Sequence, residues 1–440
     1  MHRILSFVGV LLLPLVGEAS EARSSHRGLG VGDTRSREFT VTLGETTQLE
    51  LAPTLWFATS AVTFIPNQQT NPESAIRFST LGVSRFGAQG RLSTGDDWAI
   101  EFKAEYERNL GFLSGPAGPV GTAVFEGLAS LQTRENYLRL VLPVADKLWD
   151  LELTAGIVTD PASVDFVADT ALDLFGTDPF VRDPLLLSGF NQAQGFLLRN
   201  EVHFGEWGTL GVGQHLSSGN PLQTSLSLSF GGEVSAFGTL FGAPLGATGA
   251  NSVTSSPIHL TTYSPSLDFR SAHLDVAVAA QFYWVDADFN LEEDFRLGGR
   301  NFRATAQSTL ADDAIRVFAG LSDRSNEQLL VIDRAVQADD DYTASTWYFG
   351  TEVNVTGLLN PERRSVLVGF QWNHFENDNG AGTSSANFLN IGVRVSLFDD
   401  WLQAGGRYAR LTSSSEGEAS VVTPLAPESD TVFLTLQLRI

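Results

Sequence analysis

Asp430-Thr-Val-Phe-Leu-Thr-Leu-Gln-Leu-Arg-Ile440 alternates along its whole length. Val432, Leu434, Leu436, Leu438 and Ile440 share one face of an extended chain, and Thr431, Phe433, Thr435, Gln437 and Arg439 share the other, because successive side chains of a strand point to opposite sides. Only Phe433 interrupts the polar set. Chain ends of soluble proteins tend to fray, so an oily-faced strand is unexpected here. The pattern is that of the closing strand of a barrel with lipid outside, water inside and no edge left over.

Upstream, runs of about ten residues repeat the same period-two pattern. They cover 49–63, 76–91, 97–108, 132–142, 148–158, 194–204, 207–216, 222–230, 233–241, 258–269, 272–284, 300–309, 312–321, 345–355, 365–375, 386–397, 400–410 and 430–440. These eighteen segments predict an all-β chain, a transmembrane antiparallel barrel of 16–18 strands. Between them, tight connections such as Gly205-Glu206, Gly231-Gly232 and Arg270-Ser271 alternate with long ones at 109–131, 159–193, 242–257, 285–299, 322–344, 376–385 and 411–429. Short turns at one end and long loops at the other mark a membrane barrel. Two stacked soluble β domains are the competing reading, and they have no reason to sort their loops this way.

The strand faces agree. Trp98, Ile100, Phe102, Ala104 and Tyr106 oppose Glu101, Lys103, Glu105 and Glu107; Leu389, Ile391, Val393, Val395 and Leu397 oppose Asn390, Arg394 and Ser396. Trp98, Trp149, Trp207, Trp284, Trp347 and Trp401 gather at predicted strand ends, where an indole N–H meets lipid headgroups.

Composition narrows the function classes. Mean hydropathy is -0.00 although 42% of residues are hydrophobic. No stretch beyond residue 20 approaches the roughly 18 apolar residues of a membrane helix, so a helical membrane protein is excluded. A net charge of -23 argues against nucleic acid as a partner. The absence of Cys removes disulfides, thiolate chemistry, Cys-bound metal and a lipidated N-terminal Cys. Lys103 and Lys147 are the only lysines; arginine, which keeps its charge in any environment, supplies the rest of the positive charge. Residues 1–19 read as a secretory signal, with Ile4 to Val16 as its apolar core and cleavage expected after Ala19 or Ala22. Residues 20–48 are expected to be a polar periplasmic lead-in with one short strand at Phe39 to Leu43, and 49–440 the barrel.

A barrel of this size encloses water, so its chemistry depends on what lines and narrows the lumen. Loop 159–193 is apolar for a loop: Val164, Phe166, Val167, Leu172, Leu174 and Phe175 surround Asp165, Asp169 and Asp173. At four-residue spacing these acids stack on one helical face. The loop is expected to fold into the barrel, presenting Asp165, Asp169, Asp173, Asp178 and Asp183 to the pore. The alternative is a surface loop packed on its neighbours or on a trimer partner. Arg77, Arg85, Arg91, Arg139, Arg199, Arg394 and Arg407 have lumen-facing parity; facing lipid at mid-bilayer, each would cost about 2–4 kcal/mol. Glu101, Lys103 and Glu105 join this wall. The charges either set a transverse field across the pore or pair with one another, as Arg199 would with its neighbour Glu201.

Catalytic patterns are missing. The seven His match no metal spacing, although His203 and His215 flank one hairpin and could lie close together; Gly-x-Ser-x-Gly does not occur. Gln337 to Asp341, with Asp286, Asp288, Glu292, Glu293 and Asp294, offers loop oxygens of the kind Ca²⁺ takes, or simply solvated external loops.

On signal segment, length, loop alternation, an apolar third loop and the terminal strand, the chain resembles a general porin of the Gram-negative outer membrane. The phosphate-selective porin family is similar in length and layout, but its lysine- and arginine-rich lumen matches two lysines poorly, and general porins usually end in Phe or Trp where this chain has Ile440. The resemblance implies an outer-membrane location, contact with membrane lipids, a homotrimer and no cofactor. The expected function is passive diffusion of small hydrophilic solutes or ions, with weak cation preference from acidic loops. An adhesin or Ca²⁺-binding structural barrel is the alternative, and a barrel enzyme using His203 or His273 a third.

Overall fold

The computed structural model describes residues 39–43, 46–66, 77–95, 98–114, 131–144, 148–159, 192–219, 258–287, 295–311, 314–326, 329–330, 337–338, 342–359, 366–378, 382–397, 402–417 and 429–439. In chain order the strands are β1 (Phe39–Thr42), β2 (Thr47–Pro66), β3 (Arg77–Thr94), β4 (Trp98–Ser114), β5 (Leu131–Val144), β6 (Trp149–Thr159), β7 (Gln192–His203), β8 (Thr209–Gly219), β9 (Ile258–Arg270) and β10 (Leu274–Ala287). They continue as β11 (Phe295–Leu310), β12 (Ile315–Asn326), β13 (Leu329–Leu330), β14 (Gln337–Ala338), β15 (Tyr342–Asn354), β16 (Val366–Asp378), β17 (Gly382–Leu397), β18 (Leu402–Gly417) and β19 (Ser429–Arg439). One helical turn, α1 (Val355–Leu359), lies between β15 and β16.

All strands but β13 and β14 belong to one 17-stranded antiparallel sheet. Each long strand pairs with its neighbour in sequence, and the last pairs with the first: β19 runs beside β2 from Arg439↔Trp56 to Ser429↔Pro66. The sheet therefore closes into a ring of sixteen strands with no free edge. The remaining strand, β1, pairs Phe39↔Leu51 through Thr42↔Gln48. It occupies the lane of β19 where β2 projects past Arg439, and so covers the edge that β2 would otherwise leave open.

Alternation decides which side faces out. On β19, Leu434 is 63% exposed and Leu436 49%, while Phe433 between Val432 and Leu434 is 2% exposed. The same switch runs round the ring. Leu138, Leu153, Phe196, Val212, Leu267, Phe282, Phe349 and Ile391 point outward; Arg139, Glu152, Arg199, Gln281, Asn373 and Asn390 point inward and are buried. An apolar exterior on a closed antiparallel ring, with polar groups turned inward, is the membrane-spanning solution for β structure.

The ring closes at sixteen, the lower end of the expected range. Segments 222–230 and 233–241 lie outside the described residues. The described strands β8 and β9 pair directly from Thr209↔Arg270 to Gly219↔Leu260, so the ring runs from one to the other without a strand between. The strands also run past the apolar segments read from sequence: β2 has 20 residues, β3 18 and β4 17. On β17 the extension Gly382 to Ser385 has no oily face, so alternation did not reveal it. The same effect corrects the long loop expected at 376–385. Thr383↔Asp378 closes a hairpin there, leaving only 379–381 between β16 and β17. Elsewhere short connections at 95–97, 145–148, 204–208, 271–273, 311–314 and 398–401 lie on the end that holds β1, but the connection 355–365 with α1 lies there too and is longer than 288–294 at the opposite end.

The outer aromatics fall into two groups. Trp98 and Trp149 begin strands at the short-turn end, and Trp207 sits in the 3-10 turn Gly205–Trp207 at 83% exposure. Between them and the other end, Trp347 contacts Trp372 edge-on at 4.4 Å, Trp372 stacks on His374, and Trp347 is tilted against the same imidazole. Trp372 was not apparent from strand-end position, because it lies opposite Phe349 in mid-strand. Trp401 lies outside the described residues.

Candidate functional site: the charged inner wall

Strand parity places Arg91, Glu101, Lys103, Glu105, Arg139, Glu152, Arg199, Glu201, Asp268 and Arg270 on the inner face of β3 to β9. The register then brings them level. Glu101 pairs opposite Arg91 on one side and Arg139 on the other; Glu152 lies opposite Arg199.

The result is a ladder of alternating sign. Arg91 Nη1 donates to Glu101 Oε1 at 3.2 Å, and Glu101 Oε2 accepts from Arg139 Nη1 at 3.3 Å. Arg139 Nε donates to Thr154 Oγ1 at 3.1 Å and lies 3.9 Å from Glu152 Oε2. That same carboxylate oxygen is 3.9 Å from Arg199 Nε. Arg199 then forks onto Asp268, Nη1 to Oδ1 at 2.6 Å and Nη2 to Oδ2 at 2.9 Å, while its Nε donates to Glu201 Oε2 at 3.3 Å. Arg270 Nε closes the series 3.1 Å from Asp268 Oδ2. Lys103 adds a side rung to Glu105 at 3.4 Å. Guanidinium suits this work, because its planar fork serves two carboxylates at once without losing its proton.

One step of the ladder skips a strand. Arg199 is on β7 and Asp268 on β9, with β8 between them. On β8, Gly211 lies opposite Asp268 and Gly213 opposite Arg199, so the guanidinium leans one row along the wall and passes over Gly211. A Cβ there would stand 2.2 Å from Arg199 Nη2 and 2.7 Å from Asp268 Oδ1. Glycine is needed at this position for close approach: the two side chains meet across bare backbone.

The opposite wall also carries buried arginine. Arg316 Nη2 donates to Glu352 Oε1 at 3.0 Å. Arg303, Arg394 and Arg407 are buried on the same inner face. The Arg407 guanidinium lies 3.9 Å above the Phe433 ring, which gives a role to the one apolar residue on the wet face of the terminal strand.

Of the residues singled out by sequence, Arg91, Arg139, Arg199, Arg394, Arg407, Glu101, Lys103 and Glu105 all face inward. Arg77 and Arg85 share Arg91's parity on β3, but their side chains are outside the described residues. So are Asp165, Asp169, Asp173, Asp178 and Asp183. The Arg199–Glu201 pair is present, yet Arg199's principal partner is Asp268, 69 residues away. Nothing local in the sequence announces that partner, because it is set by ring closure. His203 and His215 are not neighbours: His203 lies opposite Thr209 and His215 opposite Leu197, at different heights of the wall. His203 instead contacts Asp150 Oδ2 at 2.8 Å and Thr209 Oγ1 at 3.3 Å. Among the described residues no group of three or more His, Asp or Glu side chains is placed to hold a metal ion.

No protein-family model matches the chain, and no curated protein does. Solved structures do. An anion-selective porin from Comamonas acidovorans superposes with a TM-score of 0.52 at 12% identity, over 89% of this chain and 99% of that one. OmpF of Salmonella typhi, in complex with daunomycin, gives 0.51 at 10% identity over 91% and 99%. The outer membrane channel DcaP of Acinetobacter baumannii gives 0.50 at 11% identity over 89% and 97%. Identities this low establish a shared fold: the barrel architecture is that of outer-membrane porins.

Proposed function

We propose that this protein is a porin-like channel of the bacterial outer membrane, through which small hydrophilic solutes diffuse passively. The observation that carries the reading is the closed sixteen-strand ring with its apolar side out and its charges in. A ring of that number encloses an aqueous passage. An adhesive or scaffolding barrel has no need of a charge ladder on its inner face.

Selectivity follows from where the charges stand. Along β3 to β9 the ladder sets five carboxylates (Glu101, Glu105, Glu152, Glu201, Asp268) among four guanidiniums (Arg91, Arg139, Arg199, Arg270) and the Lys103 ammonium, so the ladder itself adds no net sign. The chain's charge of -23 then favours cations at the mouth, and a weak cation preference is part of the proposal. A constriction by loop 159–193, lined by its aspartates, belongs to it as well, as does assembly into a homotrimer. Single-channel recording of the refolded protein in a salt gradient tests the reading. Stepwise conductance with a reversal potential of cation-selective sign supports it. A refolded barrel that gives no conductance would overturn the channel, and an anion-selective reversal would overturn the charge argument.

A further inference from the structure

Water does not reach the inner wall evenly. On β3 to β5 the inward side chains are partly open. Gln89, Lys103 and Tyr137 stand level in one row, and Arg91 and Glu101 begin the next. The Arg91 side chain is 32% exposed, Glu101 17% and Lys103 14%. Across the barrel the wall is shut. Ser264, Tyr283, Asn301, Phe318, Asn373 and Asn390 all point inward, and none is more than 1% exposed. β4 is the third strand of the ring and β12 the eleventh, so the open and the shut faces are diametrically opposed. Height does not account for the contrast, because Glu101 and Phe318 each stand three residues into their strand from the short-turn end. An aromatic ring inside a wide tube keeps its rim wet unless other atoms lie over it, since strand neighbours cover only its flanks. Among the described residues, then, water running through the barrel touches the wall of β3 to β5.

We infer that solutes cross the barrel along the β3–β5 wall, and that Lys103, with Arg91 and Glu101, sets their charge selectivity. The inference rests on the channel reading and deepens it, by naming the residues that line the route. A permeating ion meets these three side chains directly. Arg303, Arg394 and Arg407 of the far wall, each at 5% exposure or less, never touch it. The ladder has the same division within it: Arg91 and Glu101 are open to the passage, while Glu152, Arg199 and Asp268 further round the ring are buried. Lys103 is the adjustable member of the open group. Its ammonium is a compact charge on a flexible stem, held 3.4 Å from Glu105.

The chain contains no Cys, so a single introduced thiol reports without background. Lys103→Cys and Gln89→Cys on the open wall are compared with Ser264→Cys and Ser322→Cys, near-isosteric changes at buried positions of β9 and β12. Each full chain is refolded and recorded in a planar bilayer. Thiol reactivity follows exposure, so trimethylammonioethyl methanethiosulfonate should label the first two variants about tenfold faster than the serine variants. The serine variants should label once denatured, which shows that their thiols are present and covered. In K103C the trimethylammonium adduct should move the reversal potential toward anions, and the sulfonatoethyl adduct toward cations. In S322C neither reagent should move it. Should K103C fail to fold, Q89C carries the same expectation. Equal labelling rates on the two walls, or labelling of the open wall that leaves the reversal potential in place, overturns the route. A barrel silent before any labelling refutes the channel and the route with it, so the two failures are told apart.

Discussion

Substituting Gly211 by alanine should break the ladder at its strongest rung. The new methyl would stand 2.2 Å from Arg199 Nη2, far inside contact distance, and the guanidinium must swing away from Asp268. Both partners are buried, at 4% exposure each, so neither charge can turn to water. Separating a buried pair costs about 3–5 kcal/mol when one charge is left uncompensated. Arg199 retains Glu201 at 3.3 Å and Asp268 retains Arg270 at 3.1 Å, so the lower end, about 3 kcal/mol, is expected. Gly213 is the control, on the same strand and the same face. A Cβ there meets Ser266 Oγ at 2.4 Å, a small hydroxyl that can rotate aside, and the cost should stay near 1 kcal/mol, as for ordinary substitutions. The assay is reversible urea unfolding of the barrel in phosphatidylcholine vesicles. The decisive comparison is Gly211→Ala in an R199M/D268L background, where replacing both partners by apolar groups removes the rung. There the penalty should fall to that of Gly213→Ala. A penalty of equal size in both backgrounds would refute the ladder as the reason for glycine.

Leu434→Arg, on the lipid side near the middle of β19, should cost about 2–4 kcal/mol by vesicle refolding, whereas Thr435→Arg on the wet side should cost far less. Equal losses would mean the faces are assigned wrongly. Phe433→Leu should remove the ring beneath Arg407 and lose about 1–2 kcal/mol, because a desolvated cation–π contact is worth that order; R407M should make the substitution nearly silent in the same unfolding assay. Glu101→Gln strips one acid from between Arg91 and Arg139 and should move the reversal potential of single channels toward anions, with no change if the ladder lies outside the conduction path.

The lipid-facing and lumen-facing sets were legible because alternation is local: period two assigns a side to each residue with no knowledge of its neighbours in space. The inward arginines were legible for a related reason, since their cost in hydrocarbon leaves one side open to them. Strand ends above the bilayer were not legible, because residues such as Thr383 to Ser385 are polar on both faces.

What the sequence by itself determined was therefore which way each side chain turns. What only the tertiary structure decided was who stands beside whom. The number sixteen, the direct β8–β9 pairing, the 69-residue reach from Arg199 to Asp268 and the need for a bare backbone at Gly211 all follow from ring closure. Pairing between distant segments depends on register and on how many strands complete the circle, and a repeat of period two is the same in every strand.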